Sequence, residues 1–196
     1  MGQVHIFLAV RVMAWLSEAY QSGAYDLSIY PAIGVQPVDN ARNEIVQEFL
    51  KSDCTHLLFV DSDTVPPQET ITKLLAADKD IISGLTPIIE YDDTWKHSDS
   101  NGFYKKWNVV NEKDQHASPH QGVIPIKGAG SSCILIKRAV FEKLKAPWYR
   151  FVYNDDSGKP VVVGEDIYFV IKAIGAGFKP FADTDVICSH HKSILW

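Results

Sequence analysis

Cysteine is scarce in this chain: Cys54, Cys133 and Cys188 are the only three, far apart and odd in number. With no Cys-x-x-Cys pair they argue against a disulfide framework and a structural zinc site, and they read as reduced, mostly buried thiols of a cytoplasmic protein. Long apolar runs are missing too. No stretch approaches the roughly 20 residues that a bilayer-spanning helix needs, so a membrane-bound acceptor would have to be met from the water side. An excess of positive charge is also lacking: 19 Lys and Arg against 24 Asp and Glu leave a net charge of -5. That removes the global basic field on which non-specific nucleic-acid binding relies, while leaving a local basic patch open. There is no Gly-x-x-x-x-Gly-Lys-Ser/Thr, which argues against P-loop phosphotransfer. No internal repeat is evident.

What is present is enough apolar material, 46% of 196 residues, for one substantial core. The expectation is one domain over 1-196, with a nucleotide-binding half at 1-85 and an acceptor and catalytic half at 86-196. Short apolar runs alternate with segments of helical period, the pattern of an α/β layer structure. Val4 to Val10 reads as a first, buried strand and Met13 to Tyr20 as a helix. Leu27 to Ile29 and Ile33 to Gln36 read as a strand leading to a turn. Ile45/Phe49 and Val46/Leu50 stack at four-residue spacing on a helix that starts near Arg42. Thr55 to Val60 is short, apolar and β-compatible, and is expected as a central strand buried on both sides. A helix is expected from Thr64 and Pro66-Pro67, with Ile71, Leu74 and Leu75 inward. Asp80 to Ser83, Val123 to Ile126, Cys133 to Ile136 and Val186 to Cys188 read as further strands. The aromatic-rich stretch 86-122 reads as functional loops and small strands. Arg138 to Leu144 is expected as a short helix and Asn154 to Lys159 as a polar turn. Ile167, Val170, Ile171 and Ile174 mark an amphipathic helix stopped by Gly175 and Gly177.

Asp61-Ser62-Asp63 sits just past the carboxyl end of a strand, where open α/β sheets place their ligand crevice. Two carboxylates one residue apart can both turn to a hard divalent cation that also takes phosphate oxygens; the alternative is that Asp63 or Thr64 caps the next helix. Glu165 and Asp166 open a helix after a glycine, which favours ionised carboxylates and suits a general base, or simply satisfies the helix dipole. Of His190 and His191, an alternating strand can aim only one at a given ion, and His190 is favoured. Gly128-Ala129-Gly130 precedes a strand rather than a helix, so it is no dinucleotide fingerprint. His116 and His120 are split by Pro119 and read as loop residues. Tyr91, Trp95, Tyr104, Trp107, Trp148 and Tyr149 could stack on a sugar or base, or pack the core.

Asn40-Ala41-Arg42-Asn43, followed by a helix and then His56-Leu57-Leu58-Phe59-Val60-Asp61-Ser62-Asp63, resembles the Ala-Arg-Asn and strand-Asp-x-Asp pattern of family 2-like GT-A glycosyltransferases. Gly128 to Arg138 resembles their Gly-rich strand. Gly164-Glu165-Asp166 resembles their Glu-Asp motif, and Val186 to His190 their terminal strand with a metal-binding histidine. The compact chain is similar in style to small viral and bacterial members. The resemblance implies a GT-A (Rossmann-like), mixed, mainly parallel central sheet with helices on both faces. It implies that Ala9, Val10 and Arg11, at the end of the first strand, line the nucleotide pocket with Asp39, Arg42, Asp61, Ser62 and Asp63. It further implies that Asp61, Asp63 and His190 hold Mn2+ or Mg2+, and that Asp166, with Glu165 beside it, is the catalytic acid pair. Asp166 serves as base if the reaction inverts the anomeric centre; a retaining reaction requires no such base.

The expected activity is metal-dependent transfer of a sugar from a nucleotide-diphosphate sugar, UDP-sugar favoured and GDP-sugar second, to a hydroxyl acceptor in a glycan, a protein or hydroxymethylated phage DNA. The DNA acceptor is the minority option. It requires Lys96, Lys105, Lys106, Lys113, Lys127, Lys137, Arg138, Lys143, Lys145 and Arg150 to converge on one face. The alternatives are a nucleotidyltransferase, which normally needs a Gly-rich basic loop where Val12-Met13-Ala14 stands, and a non-catalytic nucleotide-sugar-binding module.

Overall fold

The computed structural model describes residues 5-91, 103-153 and 163-191. The chain opens with a helix, α1 (Ile6–Ser22), and a second, α2 (Val38–Lys51). β1 (His56–Val60), β2 (Thr64–Val65), α3 (Thr70–Ala76) and β3 (Ile81–Leu85) follow. Then come β4 (Pro87–Tyr91), β5 (Phe103–Trp107), β6 (Val109–Asn111), β7 (Val123–Ala129), β8 (Cys133–Lys137) and α4 (Arg138–Lys143). α5 (Glu165–Gly175), β9 (Phe181–Ile187) and β10 (Ser189–His190) complete the order. The expected polar turn at 154-159 lies outside the described residues, as does Trp95.

Six strands form the central sheet in the order β1-β8-β3-β9-β7-β6, and two pairs, β10-β2 and β4-β5, stand beside it. The mixed α/β expectation holds, with one correction: only β3–β9 pairs in parallel, and the other four pairings in this sheet are antiparallel. β8 drives this, because it returns antiparallel between β1 and β3 and is buried along almost its whole length. Its residues alternate between two apolar clusters. Ile134 and Ile136 join Val46, Phe49, Val140, Phe141 and Phe169 from α2, α4 and α5 on one face. Cys133 and Leu135 join Leu74 of α3, with Val186, on the other. Helices thus cover both faces of the sheet, and a strand buried on both sides reads as one continuous apolar run.

Five expectations are corrected. Residues 5-10 are not a strand: from Ile6 to Ser22 there is no Gly or Pro, and Leu8, Trp15 and Ala19 recur at helical spacing as the buried face of α1. Leu27–Ile29 and Ile33–Gln36 form no strand, and Ile29, Tyr30 and Ile33 are exposed. β1 is a strand as expected but ends the sheet instead of lying in its centre, so only Phe59 of its five residues is fully buried. The helix expected from Thr64 begins at Thr70, because Thr64 and Val65 pair with β10. In α5, Phe169 displaces the expected face: it stacks on Tyr149 at 4.8 Å, and Ile171 and Ile174 turn to solvent.

Candidate active site

The acidic turn follows directly from β1. Asp61 N donates to Ser132 O at 3.2 Å and Thr64 N to Asp61 O at 3.0 Å, which reverses the chain into β2. β2 pairs antiparallel with β10, so His190 stands opposite Thr64, and His191 N donates to Asp63 O at 2.8 Å. Strand alternation then parts the two imidazoles. His190 Nε2 lies 3.2 Å from Asp63 Oδ2, whereas the ring of His191 stacks on His5 at 4.0 Å.

The other nitrogen of His190 determines what that contact can be. Nδ1 is 2.8 Å from Pro87 O, and a carbonyl can only accept, so Nδ1 carries a hydrogen. Nε2 then meets the carboxylate either through a proton, as an imidazolium–carboxylate pair, or through a cation held between them. Fixing one imidazole nitrogen on a backbone carbonyl is how proteins aim the other at a metal. A carboxylate oxygen and an imidazole nitrogen suit Mn2+ or Mg2+ with phosphate as co-ligand. By this test Asp63 and His190 fit a divalent cation.

Asp61 faces elsewhere. Its Oδ1 accepts from Arg42 at 3.1 Å, while Arg42 Nε reaches Glu165 Oε1 at 3.2 Å and its Nη1 reaches Ser131 O at 3.3 Å. Accordingly, among the described residues no three His, Cys, Asp or Glu side chains form a ready metal cage. Only Oδ1 of Asp61 is committed to Arg42, and its side chain is 39% exposed. Arg42 is 6% exposed and lies over the edge-to-face pair of Phe59 and Tyr149, at 5.6 and 5.8 Å from the ring centres. Burial opposes its charge, but Asp61, Tyr149, Glu165 and Asp166 outweigh that and hold its pKa above the usual value. It lies beneath the site and joins α2, the end of β1, the β7–β8 turn and α5, rather than standing open to a base or phosphate. Glu165 is likewise buried against Arg42. Asp39, one turn earlier on α2, accepts from Asn40 N at 3.0 Å and is half-buried.

Asp166 is placed differently from Glu165. Its Oδ1 accepts from Ile167 N at 2.7 Å, and its Oδ2 faces the bare Cα of Gly130. Burial first, and then the charge of Glu165, raise its pKa above the ordinary 3.8, against the pull of Ile167 N and Arg42. A proton acceptor needs such a raised pKa to be effective near neutrality.

The expected strand-end pocket at Ala9, Val10 and Arg11 is not formed, because all three lie on α1. Val10 and Arg11 instead border an open hollow of about 360 Å³ whose far wall includes Val65, Ser189 and His191, next to His190. Ser62 is exposed, and its carbonyl accepts from His5 N at 2.9 Å. Trp148 and Tyr149 are core residues and offer no open stacking face, and Trp107, partly buried, packs against the same core. Three of the basic residues have local partners: Lys127 pairs with Asp114, Lys137 with Asp78, and Arg138 donates to the carbonyls of Phe49, Ser52 and Cys54.

The sequence reading passed over Asn108, Thr86 and Ser132. Asn108 Oδ1 accepts from Thr86 N at 2.8 Å, its Nδ2 donates to Ser132 Oγ at 3.2 Å, and Ser132 Oγ donates to Thr86 Oγ1 at 2.8 Å. All three are buried. The available signal was one amide flanked by Trp107 and Val109, a polar residue set in an apolar run.

No protein-family model matches the chain, and no curated protein matches it. Solved structures do match. The viral protein A197 from STIV superposes with a TM-score of 0.59 at 20% identity, over 98% of this chain and 82% of that one. GalNAc-T7, solved with UDP, GalNAc and Mn2+, superposes with a TM-score of 0.53 at 13% identity, over 91% of this chain and 35% of that one. The chain has a GT-A-like fold. Within this GT-A-like fold the acidic turn and His190 follow the carboxyl ends of β1 and β9, which border β8 and β3. Among the described residues no helix is long and apolar enough to cross a membrane.

Proposed function

We propose that the chain is a metal-dependent glycosyltransferase that moves a sugar from a nucleotide-diphosphate sugar, UDP-sugar before GDP-sugar, to a hydroxyl acceptor. The observation that carries this is the contact between Asp63 and His190, with the outer nitrogen of the ring already committed to Pro87 O. It stands in a fold shared with a protein solved with UDP and Mn2+. Asp63 and His190 would hold Mn2+ or Mg2+, with Asp61 as a further ligand through the oxygen that Arg42 does not hold. When bound, the ion neutralises the diphosphate leaving group.

Asp166 takes the proton of the acceptor hydroxyl as that oxygen attacks the anomeric carbon, and the sugar–phosphate bond breaks with its electron pair on the diphosphate. Arg42 holds Asp61 and Glu165 in place and keeps Glu165 out of that proton transfer. The Asn40-Ala41-Arg42-Asn43 segment thus acts through position: Asn43 Oδ1 accepts from Trp148 N and Tyr149 N, tying α2 to the segment that packs under the site. The pairing of Lys127 with Asp114 and of Lys137 with Asp78, and the commitment of Arg138 to backbone carbonyls, favour a glycan or protein acceptor over DNA.

Purified protein incubated with UDP-glucose, UDP-GalNAc or GDP-mannose and Mn2+ tests the reading. Release of a nucleoside diphosphate is expected. Release of pyrophosphate from a nucleoside triphosphate would instead establish a nucleotidyltransferase, and tight binding without turnover a binding module.

A further inference from the structure

We infer that the outward face of α1 joins two copies of this chain into a dimer. This pairing does not depend on what the active site transfers. α1 is held to the body by Leu8, Trp15 and Ala19, with Trp15 Nε1 donating to Gln68 O. Its opposite side is apolar as well: Ile6, Phe7, Val10, Met13, Leu16 and Tyr20 are all exposed, Met13 at 69% and Tyr20 at 92%. Ile6, Val10, Met13, Ser17 and Tyr20 follow one another at alternating steps of four and three residues, the spacing of a helix–helix seam. The exposed apolar side chains of α1 together offer on the order of 800 Å² to water, more than the roughly 300 to 600 Å² of the largest patch on a typical monomer. About 800 Å² is also one partner's share of a standard stable interface.

Charge decides what can cover this face. No exposed position of α1 is ionised: Arg11 and Glu18, its two charged residues, are half-buried and both bind Gln68. A helix lying in a bilayer surface carries Lys and Arg on its polar side to meet anionic lipid; α1 has one Arg and holds it on Gln68. A highly charged protein partner would find no counter-charge here. What matches is a surface as apolar and as uncharged, and α1 of a second copy is one. Shape agrees. Hollows of about 360 and 450 Å³ run along one side of α1 and share Ala14, with Val65 across the first and Gln68 across the second. Two-fold pairing needs a patch that complements itself. Here a ridge and a groove lie side by side on one helix, so the ridge of each copy can enter the groove of the other.

Sedimentation equilibrium of the full chain between about 1 and 100 μM tests the dimer, a range that covers the weak end of interfaces this size. Wild-type protein is expected to approach twice 21.9 kDa. Met13→Glu, in the middle of the seam, puts a carboxylate from each copy into the contact. It is expected to weaken association at least about thirtyfold, the effect of losing a hot-spot residue. Tyr20→Glu, near the end of the helix, is the second variant and is expected to weaken association in the same direction. Both positions are exposed in a single copy, so the circular dichroism of each dilute variant is expected to match wild type.

Ile171→Glu, on the exposed side of α5, is the control and is expected to stay dimeric. Wild-type protein that remains at 21.9 kDa throughout overturns the assignment. So does a dimer that survives both α1 variants, or one that is lost equally in Ile171→Glu. Flotation with phosphatidylcholine–phosphatidylglycerol vesicles, seen for wild type and not for Met13→Glu, would give the face to a bilayer and overturn it too.

Discussion

A guanidinium buried as deeply as that of Arg42 keeps its charge and needs acids around it to offset the cost of burial, and the acids it pairs with decide the site. Pairing Glu165 with Arg42 leaves Asp166, its neighbour in sequence, to turn the other way toward Gly130. Removing the guanidinium leaves Glu165 charged and buried without a partner, so Arg42→Met is expected to destabilise the fold by about 3 to 5 kcal/mol. Most of that loss belongs to Glu165, since the Asp61 side chain is 39% exposed and partly screened. Urea denaturation measures it, and a loss below about 1 kcal/mol would contradict the role given to Arg42. Asp166→Asn makes a separate prediction. Donor affinity holds while transfer falls by about 10² to 10⁴, the usual worth of a general base. The Asp166 pKa is raised in the folded protein, so folding is penalised as pH rises from the unfolded value through the folded one. Asp166→Asn removes that penalty and is expected to be at least as stable as wild type at pH 7 in a thermal melt. The acidic limb of the wild-type rate profile falls above 3.8 for the same reason. At this scale the acidic turn, Asp166 and His190 were legible, because carboxylates and imidazoles after strands stand out against their neighbours. The commitment of Arg42 to burial was not, since nothing in Ala41-Arg42-Asn43 says whether a guanidinium points up to a ligand or down to Glu165, 123 residues away.

Among the elements, β3 and β9 set where His190 stands. Their parallel register shifts between Ser83 and Leu85, and Cys188 N donates to Leu85 O at 2.8 Å just before β10 begins. Gly84 makes that approach possible: a β-carbon there would sit 2.8 Å from Val186 Cγ1 and 3.0 Å from Val186 O. Gly84→Ala is therefore expected to cost about 1 to 3 kcal/mol through overpacking, and to weaken Mn2+-dependent UDP binding by displacing β9 and β10. Wild-type stability together with wild-type binding in that variant would show that the close approach does not position His190. The errors of sequence reading also belong to this scale. An apolar run of seven residues fits a strand or a buried helix turn equally well, and what makes residues 6-22 helical is the unbroken continuation through Ala14, Trp15 and Ala19 to Gly23. Trp15 Nε1 donates to Gln68 O at 2.8 Å and anchors that face. Strand order is similarly invisible in local pattern: β1 reads as central because it is apolar, yet it ends the sheet.

For the molecule as a whole, the alternation of apolar runs and helical segments was enough to give a mixed sheet layered by helices, because both periods are local properties of sequence. Direction is not local, and the antiparallel return of β8 made the sheet less parallel than expected. Likeness to A197 from STIV and to GalNAc-T7 at 20% and 13% identity speaks to the fold. The chemistry rests on side chains that the fold brings together: Asp63 against His190, and Asp166 opposite Gly130. The central claim is that the first pair holds a divalent cation for a nucleoside diphosphate. Calorimetric titration of UDP into wild-type protein and into Asp63→Ala, each with and without Mn2+, tests it most directly. UDP binding is expected to strengthen at least about tenfold with Mn2+ in the wild type, the low end of what losing a metal site's supporting groups costs, with no Mn2+ effect in Asp63→Ala. Equal Mn2+ dependence in both proteins would contradict it.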